Sequence, residues 1–170
     1  VPLKIANLQK EYWDEVVSYV IAEAKAGRTP NPDILCNSRI KFGMFYDRFG
    51  KDFDRVATGH YAWTEERDGM TFLRKSPDLV KDQTYFLSQL SQEQVSKALF
   101  PIGGFRKSEV RELAKKYKLP NAARKDSQGI CFLGQVAFDK FLEHYLGTRE
   151  GDIVDLKTGK VLGKHQGYWF

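Results

Sequence analysis

Apolar residues fall in short, readable runs along the chain. Leu3, Ile5 and Leu8 in "PLKIANL" predict a short buried strand over 2–8. In "KEYWDEVVSYVIAEAKAG", Trp13, Val16, Val17, Val20 and Ile21 recur at helical spacing, and Gly27 suits the C-terminal cap. Asn31 then suits an N-cap and Pro32 a first helical residue, with "DILCNSRIKFGMFYDRF" continuing as helix. "FDRVATGHYAWTE" predicts a second buried strand running into an exposed segment. "YAWTEERDGMTFLRK" predicts a hairpin that turns at Asp68-Gly69.

In the second half, "KDQTYFLSQL" predicts a short helix. "SQEQVSKALF" predicts another, opening on a Ser91/Gln94 capping box and stopping before Pro101. "RKSEVRELAKKYKL" predicts a basic amphipathic helix with Val110, Leu113, Ala114 and Tyr117 turned inward. "QVAFDKFLEHYL" predicts a helix that buries Phe138, Phe141 and Leu142, and "GDIVDLKTGKVLG" a hairpin with Thr158-Gly159 at its turn. The order implies an α/β fold class in three parts. These are the rear of an α/β domain over 1–76, a small mainly helical domain over 77–148, and the edge of a β-rich region over 149–170.

Composition narrows the class. With 170 residues, 42% of them apolar and 29% charged, the chain has material for one sizeable core. No apolar run approaches the roughly 18 residues that span a bilayer, and no basic-then-apolar leader opens the chain. It starts on "VPLKIANL" without Met and stops on "GYWF", so both ends read as cut and the chain as an internal fragment. Lys and Arg outnumber Asp and Glu by 27 to 22, and residues 104–126 carry a surplus as large as the whole chain's. Such a stretch serves either a polyanion or the solvated face of a helix.

Two cysteines 95 positions apart make no disulfide framework. With no C-x-x-C pair, and with His60, His144 and His165 scattered, no structural metal site is expected. With Pro32 as the first helical residue, Asp33 and Cys36 lie three apart and share a face. Asp33 can then take a proton from the thiol or from a bound substrate; the plain alternative is an inert core cysteine beside Leu35 and Ile40. Cys131, in "ARKDSQGICFLG", follows turn residues in an electropositive neighbourhood that favours thiolate, or else fills a core slot between Ile130 and Phe132. "ATGHY" ends a predicted strand where Gly59 can back a nucleotide and His60 can hydrogen-bond one. "KDQTYF" combines a cation, an anion, an amide and two aromatics, a set able to grip a ribose-phosphate chain. Its alternative is a helix start capped by Asp82.

Together, "KEYWDEV", "GRTPNPDILCN", "IKFG", "ATGHYA", "KDQTYFLSQL", "LFPIGG", "KSEVRELA", "KDSQGICFLG" and "GKHQGYWF", in that order, resemble the MnmA-type tRNA 2-thiouridylases. These enzymes sulfurate the wobble uridine of tRNA. The resemblance covers nearly all 170 residues and implies an adenine-nucleotide α-hydrolase-like (PP-loop ATPase) domain, a central tRNA-binding domain and the first strands of a β-barrel. It also implies an ATP- and Mg2+-dependent sulfurtransferase that adenylates O2 of the uridine. Cys131 matches the cysteine that receives a persulfide from a sulfur-relay donor protein. Cys36 matches the partner that attacks it and can end in a disulfide with Cys131. Asp33 matches the proposed acid/base residue, and Asn31, Pro32 and Asp33 the segment at the target base. Gly59 matches a residue of the adenylate pocket; Lys81, Asp82 and Gln83 match a tRNA-contacting trio.

The family's S-G-G-x-D-S loop does not occur in these residues, so the chain alone is expected not to adenylate RNA. The resemblance places the protein in the cytoplasm, or in an organelle if eukaryotic, as a monomer without membrane attachment. Two other readings stand beside it: a non-catalytic RNA-binding module, and another PP-loop synthetase acting on a small molecule.

Overall fold

The computed structural model describes residues 3–124 and 137–169. They fall into two compact units, one formed by residues 3–12 and 33–124 and the other by 13–32 and 137–169.

The first unit is built around a hairpin and a short parallel pair. Strands β2 (Ala62–Arg67) and β3 (Met70–Lys75) run antiparallel, with Arg67 opposite Met70. Asp68 and Gly69 both take positive φ (53° and 74°), the conformation that lets a two-residue turn follow the twist of its strands. The buried strand expected around 53–64 contracts to β1 (Val56–Ala57), because its parallel partner β4 (Ala98–Leu99) is itself two residues long. Phe42, Ala62, Leu87, Ala98 and Phe100 form the core, with Val56, Leu73 and Leu90 packed against it.

Helix α1 (Gln9–Tyr12) precedes the turn into the second unit. Helix α3 (Pro32–Leu35) starts on the expected proline and runs on as wide, i→i+5 turns over Cys36–Met44 and Tyr46–Gly50. "KDQTYF" forms only a tight 3-10 turn at Thr84–Leu87. In α4 (Gln92–Lys97), Ser91 Oγ accepts from Gln94 N at 3.2 Å while Gln94 Oε1 accepts from Ser91 N at 3.0 Å, the reciprocal cap its sequence announces.

Two expectations fail in this unit. Residues 3–8 form no strand, and Leu3 and Ile5 are about nine-tenths exposed. A strand needs a ladder partner, and among the described residues none pairs with them. Helix α5 (Lys107–Lys116) forms as expected, yet it buries no residue. Val110 and Ala114 are half-buried, while Leu113 and Tyr117 are exposed. Periodicity identifies an apolar stripe; only a neighbouring surface buries it.

In the second unit, one wide turn at Trp13–Val17 precedes α2 (Ser18–Lys25), which packs on α6 (Phe138–Leu146). Val16, Val17, Val20, Ala24, Phe141 and Leu142 are buried. Phe138 and Ile21 are half-buried, and Trp13 is an exposed residue set edge-on to Tyr145. Gly27, at φ 75°, closes α2 by the paired bonds of a left-handed cap, Arg28 N to Glu23 O at 2.9 Å and Gly27 N to Ala24 O at 3.0 Å. Strands β5 (Gly151–Val154) and β6 (Val161–His165) make the expected hairpin. Asp155 Oδ1 gathers Lys157 N, Thr158 N and Thr158 Oγ1 in its turn, and Gly159 takes φ 70°.

Candidate functional site

Asp33 lies in the first turn of α3, half-buried, and Cys36 follows one turn later as a fully buried thiol. The next residue fixes this helix to the rest of the first unit. Buried Asn37 donates from Nδ2 to Phe86 O at 3.0 Å, which leaves Oδ1 to accept from Lys41 Nζ, also at 3.0 Å. Gln94, already committed to its cap through Oε1, donates from Nε2 to Ser38 O at 2.8 Å. Two successive helix residues, Asn37 and Ser38, are thereby positioned by polar groups that come from 50 or so residues downstream.

The strand end at "ATGHY" meets the same region. Thr58 N donates to Leu99 O at 2.9 Å, carrying the β1–β4 pairing one residue further. Thr58 Oγ1 and His60 Nδ1 share a hydrogen bond of 2.7 Å, and the imidazole stands edge-on to Phe100. Burial pushes His60 down to about 4; the charge of Lys41 acts in the same direction and that of Asp33 opposes it. His60 is therefore a neutral imidazole at pH 7. Gly59 has no atom within 4 Å of the point where a Cβ would stand, so its backbone is open to close approach.

"KDQ" is stitched to this loop. Gln83 N donates to Tyr61 O at 3.0 Å and Tyr61 N donates to Gln83 Oε1 at 3.0 Å. Asp82 Oδ1 accepts from Thr84 N and Thr84 Oγ1, at 3.1 and 2.8 Å. Burial opposes ionisation of Asp82, but the bonds from Thr84 and the Ser76 backbone, with the charge of Lys75, together outweigh it and hold the carboxyl below its ordinary range. Lys81 N donates to Asp78 Oδ1.

The structure thus brings together Asp33, Cys36, Gly59 and Gln83 through Asn37, Lys41, His60 and Tyr61. Asn31 and Pro32 are half-buried residues assigned to the second unit. Cys131 lies outside the described residues. Asn37, Lys41 and Asp78 carry much of the geometry and were not singled out by sequence reasoning, which named Gln94 only as a helix cap and not for its bond to Ser38. Asn37 follows Cys36 directly, and a buried amide with remote partners leaves no local spacing to find it by. Among the described residues no group of three or more His, Cys, Asp or Glu gathers to hold a metal ion, and no helix is long and apolar enough to cross a membrane.

A neutral, half-buried His60 makes stability depend on pH. Between about pH 6.5 and 4 the unfolded chain binds a proton at His60 that the folded chain refuses, so stability falls as pH falls through this window. The whole contribution amounts to about 3 kcal/mol at most. Urea unfolding at pH 7 and pH 4.5 should show His60→Gln losing less stability on acidification than the parent. Equal losses would remove His60 as the cause.

Two family profiles match the chain: a tRNA methyl transferase HUP domain over residues 1–135 and a tRNA methyl transferase PRC-barrel domain over 139–170. A relative from Parabacteroides distasonis is 60% identical over 167 residues, 98% of this chain and 47% of its own length. One from Porphyromonas gingivalis is 56% identical over 169 residues, 99% of this chain and 47% of its own. Both are curated as tRNA-specific 2-thiouridylase MnmA. The chain spans about half the length of the curated relatives it matches.

Proposed function

Because the chain belongs to the MnmA family of the tRNA methyl transferase HUP and PRC-barrel profiles, an α/β fold, we propose that it serves tRNA sulfuration rather than methyl transfer. In a protein that also carries a pyrophosphate loop, it would act in forming 2-thiouridine at the wobble position. The observation that carries this reading is the convergence of the Asp33–Cys36 helix with the loops at 58–60 and 81–83. Replacing a carbonyl oxygen by sulfur needs a better leaving group, a sulfur nucleophile and a way to release the product. Methyl transfer needs no thiol pair.

ATP is the co-substrate, and when bound it supplies the adenylate that turns the uridine O2 into a leaving group. Open Gly59 suits a nucleotide lying against the backbone, with Thr58 and neutral His60 beside it. Mg2+ would travel with the triphosphate. The terminal sulfur of a Cys131 persulfide, loaded by a relay donor, bonds to C2 as AMP departs with O2. Cys36 thiolate then attacks Sγ of Cys131 and breaks the sulfur–sulfur bond, whose electron pair passes to the sulfur left on C2. 2-Thiouridine leaves, the sulfane sulfur has been reduced, and the two thiols have been oxidised to a disulfide that a dithiol reductant reopens. Asp33 takes up the proton released at Cys36. Asn31 and Pro32 face the target base, and Lys81, Asp82 and Gln83 hold the tRNA. The domain division at 76 and 148, monomeric state and cytoplasmic location belong to the same proposal.

The test replaces the matching stretch of the Parabacteroides distasonis relative with this chain, in cells lacking their own 2-thiouridylase. Mass spectrometry of tRNA nucleosides should then recover 2-thiouridine, whereas the 170 residues expressed alone should yield none. A folded hybrid that binds tRNA and leaves the uridine unsulfurated would overturn the proposal.

A further inference from the structure

Asp78 sits outside every motif noted in the sequence, yet its carboxylate gathers three backbone N–H groups, two from its own turn and one from a remote segment. Oδ1 accepts from Val80 N at 2.9 Å and Lys81 N at 3.0 Å, and Oδ2 accepts from Lys107 N at 2.7 Å. Ser76 Oγ accepts from Asp78 N at 3.2 Å and fixes the residue from behind. Lys107 is the first residue of α5, and the N-cap position before it is Arg106, whose guanidinium has no acceptor to offer. Arg106 N goes instead to Glu109 Oε2 at 2.6 Å. Asp78 therefore caps a helix that begins 29 residues downstream, with its charge at the positive end of that helix. Those bonds, the one to Lys107 foremost, hold the Asp78 carboxyl below the ordinary range, so it is ionised at working pH.

What it joins is basic on balance, since the cations of α5 outnumber its Glu109 and Glu112. On one side are Lys81, Asp82 and Gln83; on the other is α5, with Lys107, Arg111, Lys115 and Lys116. Because α5 buries none of its residues, little apolar packing fixes its start relative to the loop. We propose that Asp78 is a positioning residue that locks the Lys81–Gln83 loop to the basic helix, so that both meet one tRNA backbone as a single surface. This rests on the tRNA reading given above. A lock of this kind makes the loop and the helix energetically coupled; a mere cap for α5 leaves them independent.

The full 170-residue chain is titrated with tRNA at several salt concentrations, as the parent, D78N, K81A and the double variant. Asp78→Asn keeps the shape but sets an amide donor against Lys107 N–H, and should weaken binding about tenfold, as the loss of charge-assisted bonds would. In that background Lys81→Ala should add little, and the salt dependence should flatten as phosphate contacts are lost. Asp78→Glu, which keeps the carboxylate, should recover most of the affinity; Asp78→Ser, too short to reach Lys107 N, carries the same Lys81→Ala comparison if D78N proves unfolded by circular dichroism. Additive losses for Asp78 and Lys81, with parental binding intact, overturn the positioning role alone. A folded parent chain with no affinity for tRNA overturns the tRNA reading and this inference with it.

Discussion

Cys36→Ser, placed in the hybrid described above, is expected to lower 2-thiouridine formation by about a thousandfold or more while leaving tRNA affinity unchanged. The side chain is fully buried, and serine differs from it by one atom of similar size. No cavity opens, and the bonds of Asn37 to Phe86 and Lys41 do not involve the changed atom. On the proposed mechanism, what disappears is the thiolate that would resolve the persulfide. Loading of Cys131 should persist, so the variant should accumulate a sulfur-loaded protein or a covalent adduct with its RNA. Asp33→Asn should fall between parent and Cys36→Ser, because it removes a proton acceptor and keeps the thiol. A Cys36→Ser hybrid that thiolates normally would favour a non-catalytic RNA-binding role for this chain.

Burial sharpens that expectation. Cys36 Sγ cannot be reached in the arrangement described, so its attack requires motion of the groups that cover it. The same thiol should resist alkylation by a bulky reagent until tRNA is bound. The lock through Asn37 holds the helix itself in place while this happens.

Much of this was written in local sequence. Asp68-Gly69 and Thr158-Gly159 specify turns through the backbone angles they tolerate, and Ser91 with Gln94 specifies a helix start through two reciprocal bonds. Pro32 begins its helix because its fixed φ and missing N–H suit that position. The strand at 2–8 was misread because apolar residues state that burial is wanted, not that a partner exists. The inward face of α5 was misread for the same reason at Leu113 and Tyr117. In the site, the motifs were legible but their meeting was not. Asn37, Gln83, Gln94 and Asp78 make it through bonds to backbone groups of distant segments, and no spacing rule encodes such partners. The wide turns over Cys36–Met44 were equally hidden, although Ser38 O receives Gln94 on that stretch.

Gly103→Ala should be the most destabilising small substitution in the first unit, whereas Gly104→Ala, one residue away, should be nearly silent. A Cβ on Gly103 would lie 1.6 Å from Ala62 O and 2.6 Å from Ala62 C, both backbone atoms that cannot swing aside. Ala62 is fully buried, opens β2, and packs in the core with Phe100 and Ala98. Gly103 N donates to Phe100 O at 3.0 Å, so a retreat of residue 103 pulls on Phe100 through a tight turn. Ala98–Leu99 would follow, and with it the pairing to Val56–Ala57 that presents Thr58, Gly59 and His60. The site is therefore lost together with the core. Overpacking of this severity costs about 4 kcal/mol or more, a large part of the 5–15 kcal/mol or so that keeps a domain folded. At Gly104 nothing lies within 4 Å of the added carbon, so the change should stay within about 0.5 kcal/mol. Urea unfolding followed by circular dichroism separates the two directly. Equal midpoints for both variants would mean that the Phe100–Gly103 turn gives way freely, and that the core does not hold the His60 loop in the way described.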